Sequence, residues 1–461
     1  MEITKVLKMQ EDYGAKAEGI PLGLRRELLK RLLFNIEKFE TEIVFALRED
    51  LGKSSAESYL TEISMAKSEI KMAIKYLPIW ARDRYFAPSV ASFPSVSHSK
   101  RQPFGRVLIL SPWNYPFYLA IAPLVSAIAG GNTVILKPSK KSIQTSRLLE
   151  RLISKTFAPW QVYLASPFCH SNEEILSYKY DLIFFTGSKR VGKIVMEKCS
   201  KSLTPCILEL GGKSPAIVDS SACLTLASKK ILWGKLLNSG QTCVAPDYVL
   251  CHEECLDDFL FLLNRYYKKL YKHGIKNKSY PKIIDKEHFE RARELLESAI
   301  NGGGELVFGG ELDEKSRKMG LSALVLDREN ALANPIMREE IFAPILPIIP
   351  YKSFEELRKI ISQNKNPLAL YSFGERAFTK KCVREFSFGG GCENDAIMHL
   401  SNPRLAFGGV GESGLGAYHG KNGFLSFTHE KSILSSPRYF DLPLRYPPFR
   451  KGKARLIREI I

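Results

Sequence analysis

Four short stretches carry residues whose types and spacing could do chemistry together. Cys243 closes the run Asn238-Ser239-Gly240-Gln241-Thr242-Cys243, a turn of small residues that can bring backbone amides close to a ligand. A thiolate favoured by positive charge or a helix dipole is a strong nucleophile, whereas a cysteine without such surroundings is a small buried hydrophobe. Cys169, Cys199, Cys206, Cys223, Cys382 and Cys392 read as the second kind. Glu209 stands alone among Leu208 and Leu210, just before Gly211-Gly212. Desolvation there would lift its pKa toward the range of a general base, although a helix-breaking loop with the carboxylate paired to a nearby lysine would look the same. Asn114 lies in Ser111-Pro112-Trp113-Asn114-Tyr115-Pro116-Phe117, where its amide is either an oxyanion donor, worth about 3 kcal/mol when well aimed, or a turn residue. In Phe184-Phe185-Thr186-Gly187-Ser188-Lys189-Arg190-Val191-Gly192, Ser188 is placed to cap a helix whose first amides favour phosphate. Lys189 and Arg190 oppose that helix's dipole by roughly 0.3–1 kcal/mol each, a smaller conflict where an anion binds.

The elements that must hold these residues alternate. Short apolar runs at Arg106–Leu110, Thr133–Leu136 and Asp181–Phe185 are separated by helical patterns after Tyr118 and Ser142, which predicts a parallel, helix-covered sheet. Asn114 follows the first of these strands, at the carboxyl end where open α/β sheets bind ligands. A second series begins after Gly212, with strands at Pro215–Val218 and Tyr248–Cys251 and helices near Ala227–Leu237 and from Cys255. Upstream, Leu28, Leu32, Leu33, Ile36, Ile43, Leu47, Ile63, Ala66 and Ile70 recur at helical spacing. Ser89–Val96 alternates as an exposed strand or hairpin would.

With 461 residues and about 150 per domain, two or three domains are expected. Nine cysteines without the dense spacing of a secreted framework, and an N-terminus lacking a signal-peptide core, point to a reducing, cytoplasmic setting. The most apolar stretch, Phe117–Leu136, is broken by Pro123 and Gly130-Gly131 and suits buried elements better than a membrane span. The net charge of +18 comes without a basic stripe interleaved with aromatics, so no nucleic-acid partner is expected. Cys251-His252-Glu253-Glu254-Cys255 has poor spacing for zinc, and no metal is expected.

In the chain order Asn114, Gly187, Glu209, Cys243, the four stretches resemble the aldehyde dehydrogenase superfamily. Gly131–Ser139, Glu339–Pro344 and Phe407–Gly414 support the match, while the short N-terminus, the run Asn238–Tyr248 and Ala417-Tyr418-His419-Gly420-Lys421 resemble its class 3, fatty-aldehyde branch. The resemblance implies an α/β protein of two doubly wound parallel-sheet domains plus a small oligomerisation hairpin region. Residues 1–83 and 104–211 would bind the dinucleotide, residues 212–400 would form the catalytic domain, and residues 84–103 and 401–461 would supply bridging segments and the tail. It further implies that Cys243 attacks the aldehyde to give a thiohemiacetal and then a thioester. Asn114 would hold the oxyanion and Glu209 would activate the hydrolytic water. NAD or NADP would be bound by Trp113, Lys137, Ser139, Lys140, Gly187, Ser188, Gly192, Leu210, Glu340 and Phe342, with Tyr115 and Phe407 lining the aldehyde tunnel. A homodimer is implied. A CoA-acylating relative would replace water with a thiol, against the presence of Glu209, and a non-catalytic nucleotide-binding relative would lack Cys243 or Glu209.

Two departures from the family pattern matter. Where members that prefer NAD carry Glu three residues after the ribose-binding lysine, this chain has Lys140 followed by Lys141. A cation there suits a 2′-phosphate, so NADP should be used at least as well as NAD. The tail from Leu442 to Ile461 is basic, with Leu456, Ile457, Ile460 and Ile461 its apolar residues. It is too short of apolar sequence to span a membrane, and at most weak contact with an anionic membrane surface is expected.

Overall fold

The computed structural model describes residues 2–14 and 18–460, so Ile461 lies outside the described residues. Two parallel-rich sheets dominate. The first, six-stranded sheet runs in the order Gly414–Leu415, Cys206–Glu209, Leu182–Thr186, Arg106–Leu110, Thr133–Lys137, Val162–Leu164. It is parallel throughout except for the antiparallel edge Gly414–Leu415. The chain starts in the middle at Arg106–Leu110, builds outward through Thr133–Lys137, and then returns to the other side with Leu182–Thr186. The carboxyl ends of Arg106–Leu110 and Leu182–Thr186 therefore border a topological switch point, and the Asn114 and Ser188 turns leave from those two ends.

The second sheet has seven strands, ordered Glu305–Gly309, Ser322–Val325, Ile345–Tyr351, Tyr248–His252, Pro215–Val218, Ala369–Phe373, Gly390–Glu393. Only its Glu305–Gly309 edge pairs antiparallel. Cys243 precedes Tyr248–His252 and so sits at the amino edge of this sheet, facing the carboxyl edge of the first. The contacts Asn114–Gln241 and Tyr115–Thr242 join the two edges.

The expected parallel, helix-covered architecture is present. The helix Tyr118–Gly130 is buried on every side, which explains its largely apolar composition, with Ser126 its one hydroxyl besides Tyr118. It ends at Gly131, whose φ of 93° is a left-handed cap that glycine adopts without penalty. One expectation needs correction. Val90–Ser92 is a 3₁₀ turn, and the hairpin is instead made by Arg84–Phe86 with Val96–Pro103, joined on its other side by Thr428–Ser435. The alternation in Ser89–Val96 reflected a turn with exposed Val90 and Phe93, not a pleat. The Lys451–Ile460 helix closes the chain with Arg455, Leu456 and Arg458 exposed. Among the described residues, no helix is long and apolar enough to cross a membrane.

Candidate active site

The turn that carries Cys243 is built from three consecutive left-handed residues, Asn238, Ser239 and Gly240, with φ of 52°, 55° and 76°. Such a conformation is costly for residues with a Cβ and must be held from outside. The amide of Asn238 donates to Glu57 Oε1 at 2.7 Å, and its side chain donates to the Asn114 carbonyl at 2.7 Å. Gln241 donates to the carbonyls of Asn238 and Lys282 and accepts from the Ile284 amide. Just beyond the cysteine, the Tyr371 hydroxyl donates to the Val244 carbonyl at 2.6 Å. Gly240 is required for space as well as for φ, since a Cβ there would lie 2.5 Å from the Ala343 carbonyl.

Cys243 is partly exposed as a residue, but its thiol is enclosed. Burial pushes the thiol up, and the nearby carboxylates of Glu340 and Glu209 push it further. Glu209 and Glu340 are thus close enough to Cys243 for their charges to act on its thiol. Glu209 ends its strand with both carboxylate oxygens buried and unpartnered among the described residues, so desolvation holds it well above the ordinary carboxylate range. The alternative of a lysine partner is therefore not what the structure contains. Asn114 is buried, and its side-chain amide donates to the Gln241 carbonyl at 3.0 Å, two residues before the nucleophile. Tyr115 shares a 2.6 Å hydrogen bond with Thr242. Phe407 is buried against Tyr418 and stacks on His419.

The dinucleotide candidates gather at the carboxyl edge of the six-stranded sheet. Ser188 caps the Lys189–Ser200 helix by accepting from the Val191 amide, and the Gly187 amide donates to the Glu209 carbonyl at 3.0 Å. A Cβ at Gly192 would come within 2.6 Å of Leu210, so glycine lets the helix settle on that segment. Glu340 lies against Gly211, where a Cβ would be 2.6 Å from Oε1, and burial raises its carboxyl to about 8. Trp113 meets Phe342 edge-on at 5.5 Å and His288 at 4.7 Å. Lys137 donates to Asn172 at 2.5 Å and is pulled down to about 8 by burial and by Lys140. Ser139 accepts from the Lys141 amide at 3.2 Å. A helix N-terminus, a glycine-permitted close approach and a cation on one edge fit a dinucleotide.

The two adjacent lysines separate. Lys141 pairs with Asp285 and Glu287, both at 2.8 Å, whereas Lys140 is exposed beside Lys137. Lys189 pairs with exposed Glu412 at 2.9 Å. Cys251 and Cys255 are buried 3.8 Å apart, as thiols in a core. Among the described residues, Asp285, Glu287 and His288 cluster closely enough to suggest a metal, but the Lys141 ammonium occupies that cluster.

Sequence reasoning did not single out Glu57, Glu62 or Lys53 as parts of the site. A carboxylate beside an apolar helical stripe looks like a surface residue until the opposing wall is known. The usable signal lay in Asn238-Ser239-Gly240, which tolerates left-handed backbone only in part and so demands external support.

The chain is similar to known proteins over most of its length. The aldehyde dehydrogenase family model matches residues 3–433. The chain is 42% identical to 4,4'-diaponeurosporen-aldehyde dehydrogenase of Staphylococcus aureus, over 97% of this chain and 98% of that one. It is 38% identical to aldehyde dehydrogenase family 3 member H1 of Arabidopsis thaliana, over 96% and 92%. A solved structure of a substrate-bound Staphylococcus aureus AldH superposes with a TM-score of 0.94 at 40% identity, covering 100% of this chain and 99% of that one. The chain belongs to the aldehyde dehydrogenase family, on the side of its family 3 members, and is an NAD(P)-dependent oxidoreductase that converts an aldehyde to a carboxylic acid.

Proposed function

We propose that Cys243, Asn114 and Glu209 carry the oxidation, that the preferred aldehyde is apolar, and that NADP serves at least as well as NAD. The observation that carries this reading is the enclosure of the Cys243 thiol with Glu209 and Glu340. The Cys243 thiol passes its proton to water, and the thiolate attacks the aldehyde carbonyl. The oxyanion so formed takes the Asn114 amide in place of the Gln241 carbonyl that the amide now faces, together with the Cys243 amide. The bound dinucleotide supplies a hydride acceptor. Glu209, poised high by desolvation, then takes a proton from the water that hydrolyses the thioester. Tyr115 and Phe407 give the approach an apolar wall. Lys140, exposed beside Lys137, is the cation available to a 2′-phosphate.

The division into 1–83 with 104–211, 212–400, and 84–103 with 401–461 is the corresponding domain reading. A homodimer is supported by exposed Tyr85, Phe86, Val90, Phe93, Leu434 and Phe440 on the hairpin sheet and the tail. The basic tail adds at most weak affinity for an anionic membrane surface. Nine free thiols suit a reducing, cytoplasmic setting. The test is reduction of NAD and NADP over a panel of long-chain, aromatic and semialdehyde substrates, with Cys243→Ala as control. Activity that depends on Cys243 and is greatest with apolar aldehydes is expected, and equal activity of the Ala variant would overturn the assignment.

A further inference from the structure

Beneath the site lies a buried charged cluster that no step above uses. Lys53 and Glu62 are both fully buried and form an ion pair at 2.6 Å. The other oxygen of Glu62 accepts from the amides of Phe117 and Tyr118 at 2.9 and 3.1 Å, at the start of the Tyr118–Gly130 helix. Lys53 reaches the Asn114 carbonyl at 3.4 Å and sits 3.9 Å over the Tyr115 ring. From the same short segment, Glu57 accepts from the Asn238 amide at 2.7 Å. Asn238 in turn donates to the Asn114 carbonyl at 2.7 Å, so that one carbonyl receives both Lys53 and Asn238.

Local structure explains how one segment reaches both walls. Residues five apart on an α-helix point about 140° away from each other. The Tyr59–Ile63 turn is a π-helix, wider than an α-turn, and it brings Glu62 round toward the face of Glu57. π-turns of this kind recur at functional sites.

We propose that Lys53, Glu57 and Glu62 are positioning residues for the oxidation: they hold the Asn114 turn and the Cys243 turn in register, and so fix where the Asn114 amide can point. This rests on the oxyanion role proposed for Asn114. Burying an ion pair brings little net stability, because desolvation offsets the attraction. Geometry is what the cluster supplies: the pair makes four contacts on the Asn114 side, and Glu57 makes one on the Cys243 side.

The test is a charge-neutral double variant, Lys53→Met/Glu62→Gln, made alone and in an Asn114→Ala background. Removing both charges avoids leaving Lys53 or Glu62 charged and buried without the other. Glu62→Asp, which keeps the charge but withdraws it from the Phe117 and Tyr118 amides, is read in the same way if the double variant does not fold. Expected is a kcat at least tenfold lower for the double variant, and at least threefold lower for Glu62→Asp. Cofactor Kd should stay within twofold, and Asn114→Ala should suffer no further loss from either change. A kcat at the wild-type level while Asn114→Ala is impaired would overturn the inference alone. So would the same fold-loss in both backgrounds, which would mark a general disturbance. An unimpaired Asn114→Ala would overturn the oxyanion role and this inference with it.

Discussion

The ammonium of Lys141 lies 2.8 Å from the carboxylate of Asp285 and ties the end of the Thr133–Lys137 strand's loop to the start of the Lys286–Asn301 helix across the cleft. Burial pulls Asp285 up, but its bonds from Lys141 and His288 hold it below its ordinary value. Lys141 is therefore engaged within the protein, whereas Lys140 is exposed beside Lys137 with no ion pair to a carboxylate among the described residues.

Lys140→Glu should lower kcat/KM with NADP relative to NAD by about tenfold, the size of a lost charge-assisted contact. Lys141→Ala should leave that ratio within twofold, because its partners belong to the protein. Initial rates with both dinucleotides check this, and a strong NAD preference in the wild type, unaltered by Lys140→Glu, would remove Lys140 from cofactor choice.

Glu209→Gln should let the acylated Cys243 accumulate. A burst of one reduced nicotinamide per site, followed by turnover lowered on the order of a hundredfold, is the expected signature. The same variant bears on stability. The folded-state carboxyl lies well above the ordinary 4.5 because of desolvation, so an unfolded chain releases this proton at lower pH than the folded one. The stability cost is absent below pH 4.5 and grows as pH rises toward the folded-state value. The Gln variant should resist urea better than the wild type at pH 7–8 and equally well at pH 4. A lower midpoint at pH 7–8 would contradict unpartnered burial.

The main strands and their parallel, helix-covered arrangement were legible because their signals are local. Arg106–Leu110 and Pro215–Val218 are continuous apolar runs, as strands covered on both faces must be. Cys243, Glu209 and Asn114 stood out because each occupies a stretch rich in glycine, proline or small residues. The support beneath them was not legible. Lys53 and Glu62 are nine residues apart in a helical region, and only the arrival of Asn114 and Phe117 from another part of the chain makes them interior. Lys140 and Lys141 were indistinguishable for the same reason, since Asp285 and Glu287 come from far along the chain.

Glu340→Gln should speed alkylation of Cys243. After burial itself, Glu340 is the largest influence raising the thiol, and its own carboxyl, lifted to about 8, is charged mainly above that pH. Iodoacetamide should therefore react several-fold faster with the Gln variant than with the wild type at pH 9, and the gap should narrow at pH 7, where Glu340 is largely neutral. A gap that is equal at both pH values would show that the carboxylate acts through packing and not through charge.

Gly240→Ala tests the turn itself. A left-handed conformation costs a residue with a Cβ about 1–2 kcal/mol. The new methyl would also stand 2.5 Å from the Ala343 carbonyl, and relieving that contact costs roughly a further 1–3 kcal/mol. Together these predict a loss of about 2–5 kcal/mol, read from the urea midpoint, with kcat lowered because the backbone shift moves Cys243. Asn238→Ala removes the bond to the Asn114 carbonyl without adding bulk, so it should lower kcat with a smaller change in midpoint. If Gly240→Ala leaves both the midpoint and kcat unchanged, the turn is free to relax, and the external contacts that hold it do not determine where the thiol sits.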